Sequence, residues 1–161
     1  MKKLATLHID KQAHKFSAAH FTIFSATERE RLHGHNYSVS ARIVAEMGEN
    51  GFSADYNVYK RCLQKLCDAH DEYLLLPGES PHLAITEQED EYQVIFDGKM
   101  LRFPADEALV LPIPNVTVEA LAYYLLEQVL AEGAVGPLIE LEIFVSSGDG
   151  QASSARWRVE E

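Results

Sequence analysis

The residues of this chain best equipped for chemistry lie in His33-Gly34-His35-Asn36-Tyr37, with a third histidine upstream in Phe16-Ser17-Ala18-Ala19-His20. Successive side chains of a strand point to opposite faces, so His33 and His35 face the same way and Gly34 between them leaves room for a close approach. If the segment around His20 pairs antiparallel with this strand, with residues 21 to 32 as the connection, the third imidazole reaches the same point. Three neutral nitrogens with a fourth position left open form the pattern of a catalytic zinc, because a structural zinc takes all four ligands from protein. An ion so held polarises bound oxygen and lowers its pKa. Three histidines accept other transition ions as well. A single His-x-His in a strand is a weak signal by itself and is usually metal-free.

The elements that must position these groups are legible as paired strands and two helices. Leu4 to Ile9 and His14 to Phe21 read as a first strand pair or as one long bent strand. Tyr37 to Ala45 alternates Tyr37, Val39, Ala41 and Ile43 against Ser38, Ser40 and Arg42, a half-buried strand. From Asp55, placed as an N-cap, apolar residues recur at Val58, Cys62, Leu63, Leu66 and Cys67 with helical spacing. The two cysteines read as buried structural thiols, not as a disulfide or a metal pair. Tyr92 to Phe96 and Met100 to Phe103 flank Asp97-Gly98, a strong hairpin signal. A second helix is predicted from near Thr117, with Leu121, Leu125 and Val129 on one face and an end before Gly133 and Gly136-Pro137. Ile139, Leu141, Ile143 and Val145 then alternate with Glu140 and Glu142, and Ala155 to Val159 is the expected return strand. Strand pairs separated by two helices imply an α+β domain.

At 161 residues and 47% hydrophobic content the chain suits one domain with an ordinary core. No apolar run approaches the length that spans a bilayer, and the start Met1-Lys2-Lys3-Leu4 lacks a signal-peptide core, so a cytoplasmic protein without membrane contact is expected. The net charge of −11 argues against a nucleic-acid partner.

The words around the histidines resemble the 6-pyruvoyl-tetrahydropterin synthase and 6-carboxy-tetrahydropterin synthase family, which carries Phe-Ser-Ala-x-His followed by His-Gly-His-Asn-Tyr. The resemblance continues in order through Gly51-Phe52-Ser53-Ala54-Asp55-Tyr56, Leu74-Leu75-Leu76-Pro77 and Asn115-Val116-Thr117-Val118-Glu119. Residues 78 to 110 fall outside it and read as an inserted hairpin in a single domain over 1–161. The resemblance implies the tunnelling fold: a small antiparallel sheet with two helices on one side, its barrel completed by a homo-oligomer, a trimer or a dimer of trimers. It implies Zn2+ on His20, His33 and His35, and 7,8-dihydroneopterin triphosphate or a related pterin as substrate. An acidic chain must then offer local cations to a triphosphate, and Arg29, Arg31 and Lys60 are candidates.

Three departures from the family pattern bear on activity. The usual cysteine base is missing between His20 and His33, and Glu30 gives Glu-x-x-His-Gly-His instead. This resembles the branch in which glutamate replaces cysteine and the product is 6-hydroxymethyl-7,8-dihydropterin; burial that raises the carboxyl pKa toward neutrality would suit it as a base. The alternative is a solvated glutamate in the charged run Glu28 to Arg31. At the family's Asp-His pair, alignment on Leu74-Leu75-Leu76-Pro77 gives Asp71 and Glu72, while a one-residue shift gives His70 and Asp71 in swapped order. His70 also reads as an ordinary helix-end histidine. Where the family holds the pterin with a glutamate, this chain has Ser146 and Ser147, with Asp149 the nearest carboxylate and Thr117 the remaining hydrogen-bonding neighbour. A hydroxyl cannot accept two N–H bonds as a carboxylate does. The readings are therefore a zinc-dependent lyase on a pterin side chain giving the hydroxymethyl, pyruvoyl or carboxy product, a family enzyme with a non-pterin substrate, or a non-catalytic zinc-binding protein of this fold.

Overall fold

The long strand β3, His33–Glu46, carries the histidine pair at one end and organises the sheet. A computed structural model of the chain describes residues 2–132 and 138–160. Tyr37, Val39, Ala41, Ile43 and Ala45 of β3 are all buried on one face, as their alternation requires. Strands β1, Leu4–Ile9, and β2, Lys15–His20, do not pair with each other; they lie end to end along β3, Ile9 facing Ala41 and Lys15 facing Ser38. The bent-strand alternative therefore describes them, interrupted by a polar turn in which the His14 N–H donates to the Lys11 carbonyl at 2.9 Å.

Helix α1, Tyr56–His70, starts on Asp55, whose carboxylate accepts the Asn57 N–H at 3.0 Å. Its buried stripe is Tyr59, Cys62, Leu63, Cys67 and His70. Both cysteines are free, and burial pushes both thiols up, Cys67 to about 12. After α1 comes β4, Tyr73–Pro77, which joins β2 in parallel, and β8, Ala108–Leu111, joins β4 in parallel. Helix α2, Val118–Ala131, is capped by the Thr117 hydroxyl, which accepts the Ala120 N–H at 3.2 Å, and it buries Leu121, Leu125 and Val129 as predicted. The predicted stop signals Gly133 and Gly136-Pro137 lie outside the described residues. Strand β9, Leu138–Gly148, borders β3, and β10, Gln151–Arg158, returns along it.

The main sheet thus runs β10-β9-β3-β2-β4-β8, with β1 also on β3, and both helices share one hydrophobic core with its inner face. It is antiparallel from β10 to β2 and gains parallel strands only where long crossovers feed β4 and β8. This is the expected α+β architecture, and the sheet does not close on itself within the chain. On its other face Arg42 pairs with Glu140 and Glu142, and Arg156 with Glu142, so the alternating glutamates of β9 form a cross-strand charge ladder.

The stretch read as an inserted hairpin holds three strands: β5, Ala84–Gln88, β6, Glu91–Phe96, and β7, Lys99–Pro104. Asp97 and Gly98 both take positive φ, 48° and 70°, as a two-residue hairpin turn of mirror-image type demands. Strand β5 escaped the sequence reading because only Ile85 in it is even half-buried, which leaves no alternation to detect. Val94 and Phe96 form a second core with Phe21, Ile23, Leu74, Leu76 and Ala108. That core lies under the connection between β2 and β3 and holds it against the small sheet.

Candidate active site

The register of β2 on β3 sets His20 directly opposite His33, and His35 follows two residues on along the same face. The three rings lie 4.7 to 5.1 Å apart, and one ligand atom from each falls within 4.8 Å of the others. Gly34 points away between them, where an added Cβ would sit 3.3 Å from the Ala18 carbonyl oxygen, so the close pairing of β2 and β3 favours glycine.

Hydrogen bonds behind two of the rings, His20 and His33, fix their tautomers. His20 Nδ1 lies 2.9 Å from the Val116 carbonyl oxygen, and His33 Nδ1 lies 2.7 Å from that of Arg31. A carbonyl only accepts, so both Nδ1 atoms carry the proton and both Nε2 lone pairs turn toward the cluster. His20 Nε2 is buried without a hydrogen-bond partner among the described residues, and His33 Nε2 lies 3.0 Å from His35 Nε2. Burial lowers the His20 pKa, and the neighbouring imidazoles lower it further against the Val116 bond and Glu30. A neutral, preoriented and orphaned nitrogen beside two others is a donor set suited to a borderline cation such as zinc, with carbonyl partners behind the ligands as is usual in such sites.

Glu30 belongs to the connection between β2 and β3, which an Ile23–Arg29 bridge folds back on itself. The Glu30 N–H donates to the Thr22 carbonyl at 2.8 Å, and its carboxylate accepts the Thr22 N–H at 3.0 Å. The same carboxylate oxygen lies 3.9 Å from His33 Nε2. The Glu30 pKa is shifted down, not up. Burial does push the carboxyl up, but hydrogen bonds from Thr22 and the proximity of His33 and His20 outweigh it and hold Glu30 below the usual carboxylate range. The structure brings Glu30 beside the histidines, only partly buried and well supplied with donors.

The other predicted residues are placed elsewhere. His70 is buried in the last turn of α1, its Nδ1–H donating to the Leu66 carbonyl at 2.6 Å and its ring packed against Phe16 and Tyr124. Asp71 follows as the C-cap and accepts the Ser17 N–H at 2.7 Å. Neither makes a described contact with the histidine cluster. Glu72 takes a left-handed φ of 65° with its N–H on the Ser17 carbonyl at 2.7 Å. Thr117 follows the residue that fixes His20 and is engaged in capping α2. Ser146 faces Ser38 across β3 and β9, so Ser147 continues on the face that carries Tyr37; its hydroxyl lies 3.4 Å from Gln151 Oε1.

Two residues of the site escaped sequence reasoning. Tyr37 stacks on Phe16 with ring centroids 5.0 Å apart, packs edge-on against His20 and His35, and its buried hydroxyl has no partner among the described residues. Burial raises its pKa, and Glu30 adds to the effect. It read as core because its alternation is that of a core residue. Asn115 takes the Ile23 N–H and the Val116 N–H on its side-chain oxygen, each at 3.1 Å, and returns an N–H to the Ile23 carbonyl at 2.8 Å. It thereby ties the Glu30 connection to the Val116 peptide that orients His20.

A profile of the 6-pyruvoyl tetrahydropterin synthase family matches residues 8–147. The chain belongs to that family. A protein of Methanocaldococcus jannaschii provisionally named 6-carboxy-5,6,7,8-tetrahydropterin synthase is 27% identical over 146 residues, 88% of this chain and 89% of that protein. The crystal structure of 6-pyruvoyl tetrahydropterin synthase from Plasmodium vivax superposes with a TM-score of 0.89 at 27% identity, covering 98% of this chain and 99% of that one. A structure of the same Plasmodium vivax synthase in which Cys replaces a glutamate described as a catalytic residue matches at 26% identity and TM-score 0.89, over 98% of this chain and 99% of that one.

In this member of the tetrahydropterin synthase family Asn115 is a positioning residue for two groups at once. Asn115→Ala is expected to weaken metal binding on the order of tenfold, the lower end of what loss of an outer-sphere support costs. Metal titration of the folded variant checks this, and an affinity equal to the parent's would show that the Val116 carbonyl holds His20 without help.

Proposed function

We infer that the chain is a zinc-dependent lyase acting on the side chain of 7,8-dihydroneopterin triphosphate or a related dihydropterin, with 6-hydroxymethyl-7,8-dihydropterin as product. The observation that carries this reading is the Glu30 carboxylate, held by Thr22 and 3.9 Å from His33 Nε2, in a connection without cysteine. A glutamate called catalytic in the Plasmodium vivax synthase supports the same assignment.

His20, His33 and His35 would hold the zinc, which supplies a Lewis acid that polarises oxygen of the substrate side chain. Glu30 takes the proton from the second side-chain hydroxyl. The bond between the first and second side-chain carbons breaks, the second carbon leaving as an aldehyde with the triphosphate-bearing fragment. The electron pair passes into the C6–N5 imine of the dihydropterin ring, and the first carbon recovers a proton from Glu30, so the step needs no oxidant. A carboxylate below the usual range is ionised at neutral pH and ready to accept that proton. Tyr37 and His20 form the buried side of the site, while Glu30 and His33 stand at its open side, where substrate can enter. Thr117 and Ser147 are the proposed hydrogen-bonding neighbours of the ring, and Asp71 with His70 is the proposed proton-relay pair.

Among the described residues the sheet edges at β8 and β10 have no strand partner, which supports a homo-oligomer, a trimer or hexamer, that covers them. No described helix is long and apolar enough to cross a membrane, in keeping with a cytoplasmic enzyme. A second reading, the 6-carboxy product, is favoured by the name of the Methanocaldococcus relative. Incubating the zinc-loaded protein with 7,8-dihydroneopterin triphosphate and weighing the products decides between them. The expected result is the hydroxymethyl pterin with a two-carbon aldehyde fragment carrying the triphosphate. Carboxy- or pyruvoyl-tetrahydropterin as sole product would overturn the cleavage reading, and intact substrate would overturn the substrate.

A further inference from the structure

Glu30 is tied at three polar groups, and the third tie leads out of its own connection. Its N–H and its carboxylate both bond to the Thr22 backbone, while its carbonyl accepts from Arg29 Nη1 at 2.7 Å. The Arg29 guanidinium also lies 4.6 Å from the ring centre of Phe21 and 5.6 Å from that of Phe96, at the end of β6. A cation within about 6 Å of a ring face is attracted by the ring quadrupole, more strongly where water is displaced. Both rings are buried members of the second core, Arg29 is half-buried, and it forms no ion pair among the described residues. A planar guanidinium lies against aromatic rings and still donates from its edge, a geometry that the point charge of lysine on its flexible stem does not reproduce. Neighbouring side chains of an extended segment point to opposite sides, so Arg29 turned onto the second core leaves Glu30 turned toward His33.

We propose that Arg29 is a positioning residue for Glu30, clasping the connection between β2 and β3 onto the inserted sheet so that Phe96 of β6 helps to set where the carboxylate stands. The inference rests on the lyase reading, which makes Glu30 the base; the clasp itself is independent of that reading. The small sheet β5-β6-β7 then has a role beyond packing. Without Phe96 the guanidinium loses one of its two ring partners, and the Glu30 carbonyl is left with a donor that is less firmly held. Misplacement of a reacting group by about 1 Å costs on the order of 10²-fold in rate, so even partial release of the clasp should show in kcat.

The test compares zinc-loaded Arg29→Gln and Phe96→Leu with the parent, by turnover of 7,8-dihydroneopterin triphosphate and by amide hydrogen exchange across residues 21–32. Arg29→Gln is expected to keep its zinc and to lose at least about tenfold in kcat with KM little changed, because the clasp acts on the placement of the base and not on substrate binding. Phe96→Leu, which keeps an apolar side chain in the second core, should lose less in the same direction, and nothing further in the Arg29→Gln background. In the Glu30→Gln background Arg29→Gln should cost nothing more, whereas an arginine acting only on the fold would cost the same again. Exchange across residues 21–32 should quicken at least about tenfold in Arg29→Gln while β3 and β9 stay protected. Parent kcat in Arg29→Gln, or an equal loss in the Glu30→Gln background, would overturn the proposal, and so would a raised KM at unchanged kcat, which marks a substrate contact. Should Arg29→Gln not fold, parent-like kcat and exchange in Phe96→Leu would overturn it instead, and a loss in both would support it. A parent inactive on dihydropterins would remove the lyase reading alone. Exchange would then still decide the clasp: quickened exchange in Arg29→Gln keeps it, and parent-like exchange removes it.

Discussion

His20→Ala is expected to leave a folded protein that has lost most of its zinc and with it all measurable lyase activity. The imidazole supplies one of three nitrogens, its Nε2 has no hydrogen-bond partner among the described residues, and its Nδ1 is anchored on the Val116 carbonyl. Deleting it removes a ligand outright, a larger change than the 10–100-fold loss typical of an outer-sphere contact. His33→Ala and His35→Ala should behave in the same way, because the lone pairs converge from two neighbouring strands and no fourth described histidine, cysteine or carboxylate completes a cluster with the remaining pair. Elemental analysis of the three purified variants checks the outcome. Full metal content in each, with circular dichroism unchanged, would remove the histidines from the metal site.

Glu30→Gln is expected to retain zinc and fold while losing turnover by about 10²-fold or more, the usual scale for a positioned acid–base group. The amide keeps the size of the carboxyl and can accept the Thr22 N–H, but it cannot take up a proton. The pH dependence follows from the direction of the shift. With its pKa held below the ordinary carboxylate range, Glu30 stays ionised through neutral pH, so the base form is lost only as pH falls through that lowered value. The parent rate should therefore show no Glu30 titration between roughly pH 6 and 8, given an ordinary glutamate near 4.3. Wild-type turnover in Glu30→Gln, or its abolition by Asp71→Asn alone, would move the role of base to the end of α1.

The sequence by itself determined the elements whose signals are local. Alternation marked β3 and β9, Asp55 and Thr117 announced the two helix starts, and Asp97-Gly98 marked its turn, because caps and tight turns depend on a few neighbouring residues. The same alternation put His33 and His35 on one face, and a short connection made His20 their natural partner. Tertiary structure alone decided what depends on residues distant in the chain. It laid β1 and β2 end to end on β3 and added β4 and β8 in parallel, since strand neighbours follow from burial and crossover geometry and not from the strand's own residues. It fixed the imidazole tautomers through Val116 and Arg31, and it joined the Glu30 connection to α2 through Asn115, 92 residues from Ile23. It also lowered the Glu30 pKa where burial alone would have raised it, because the balance between desolvation and donors is set by the groups that folding brings within a few ångströms.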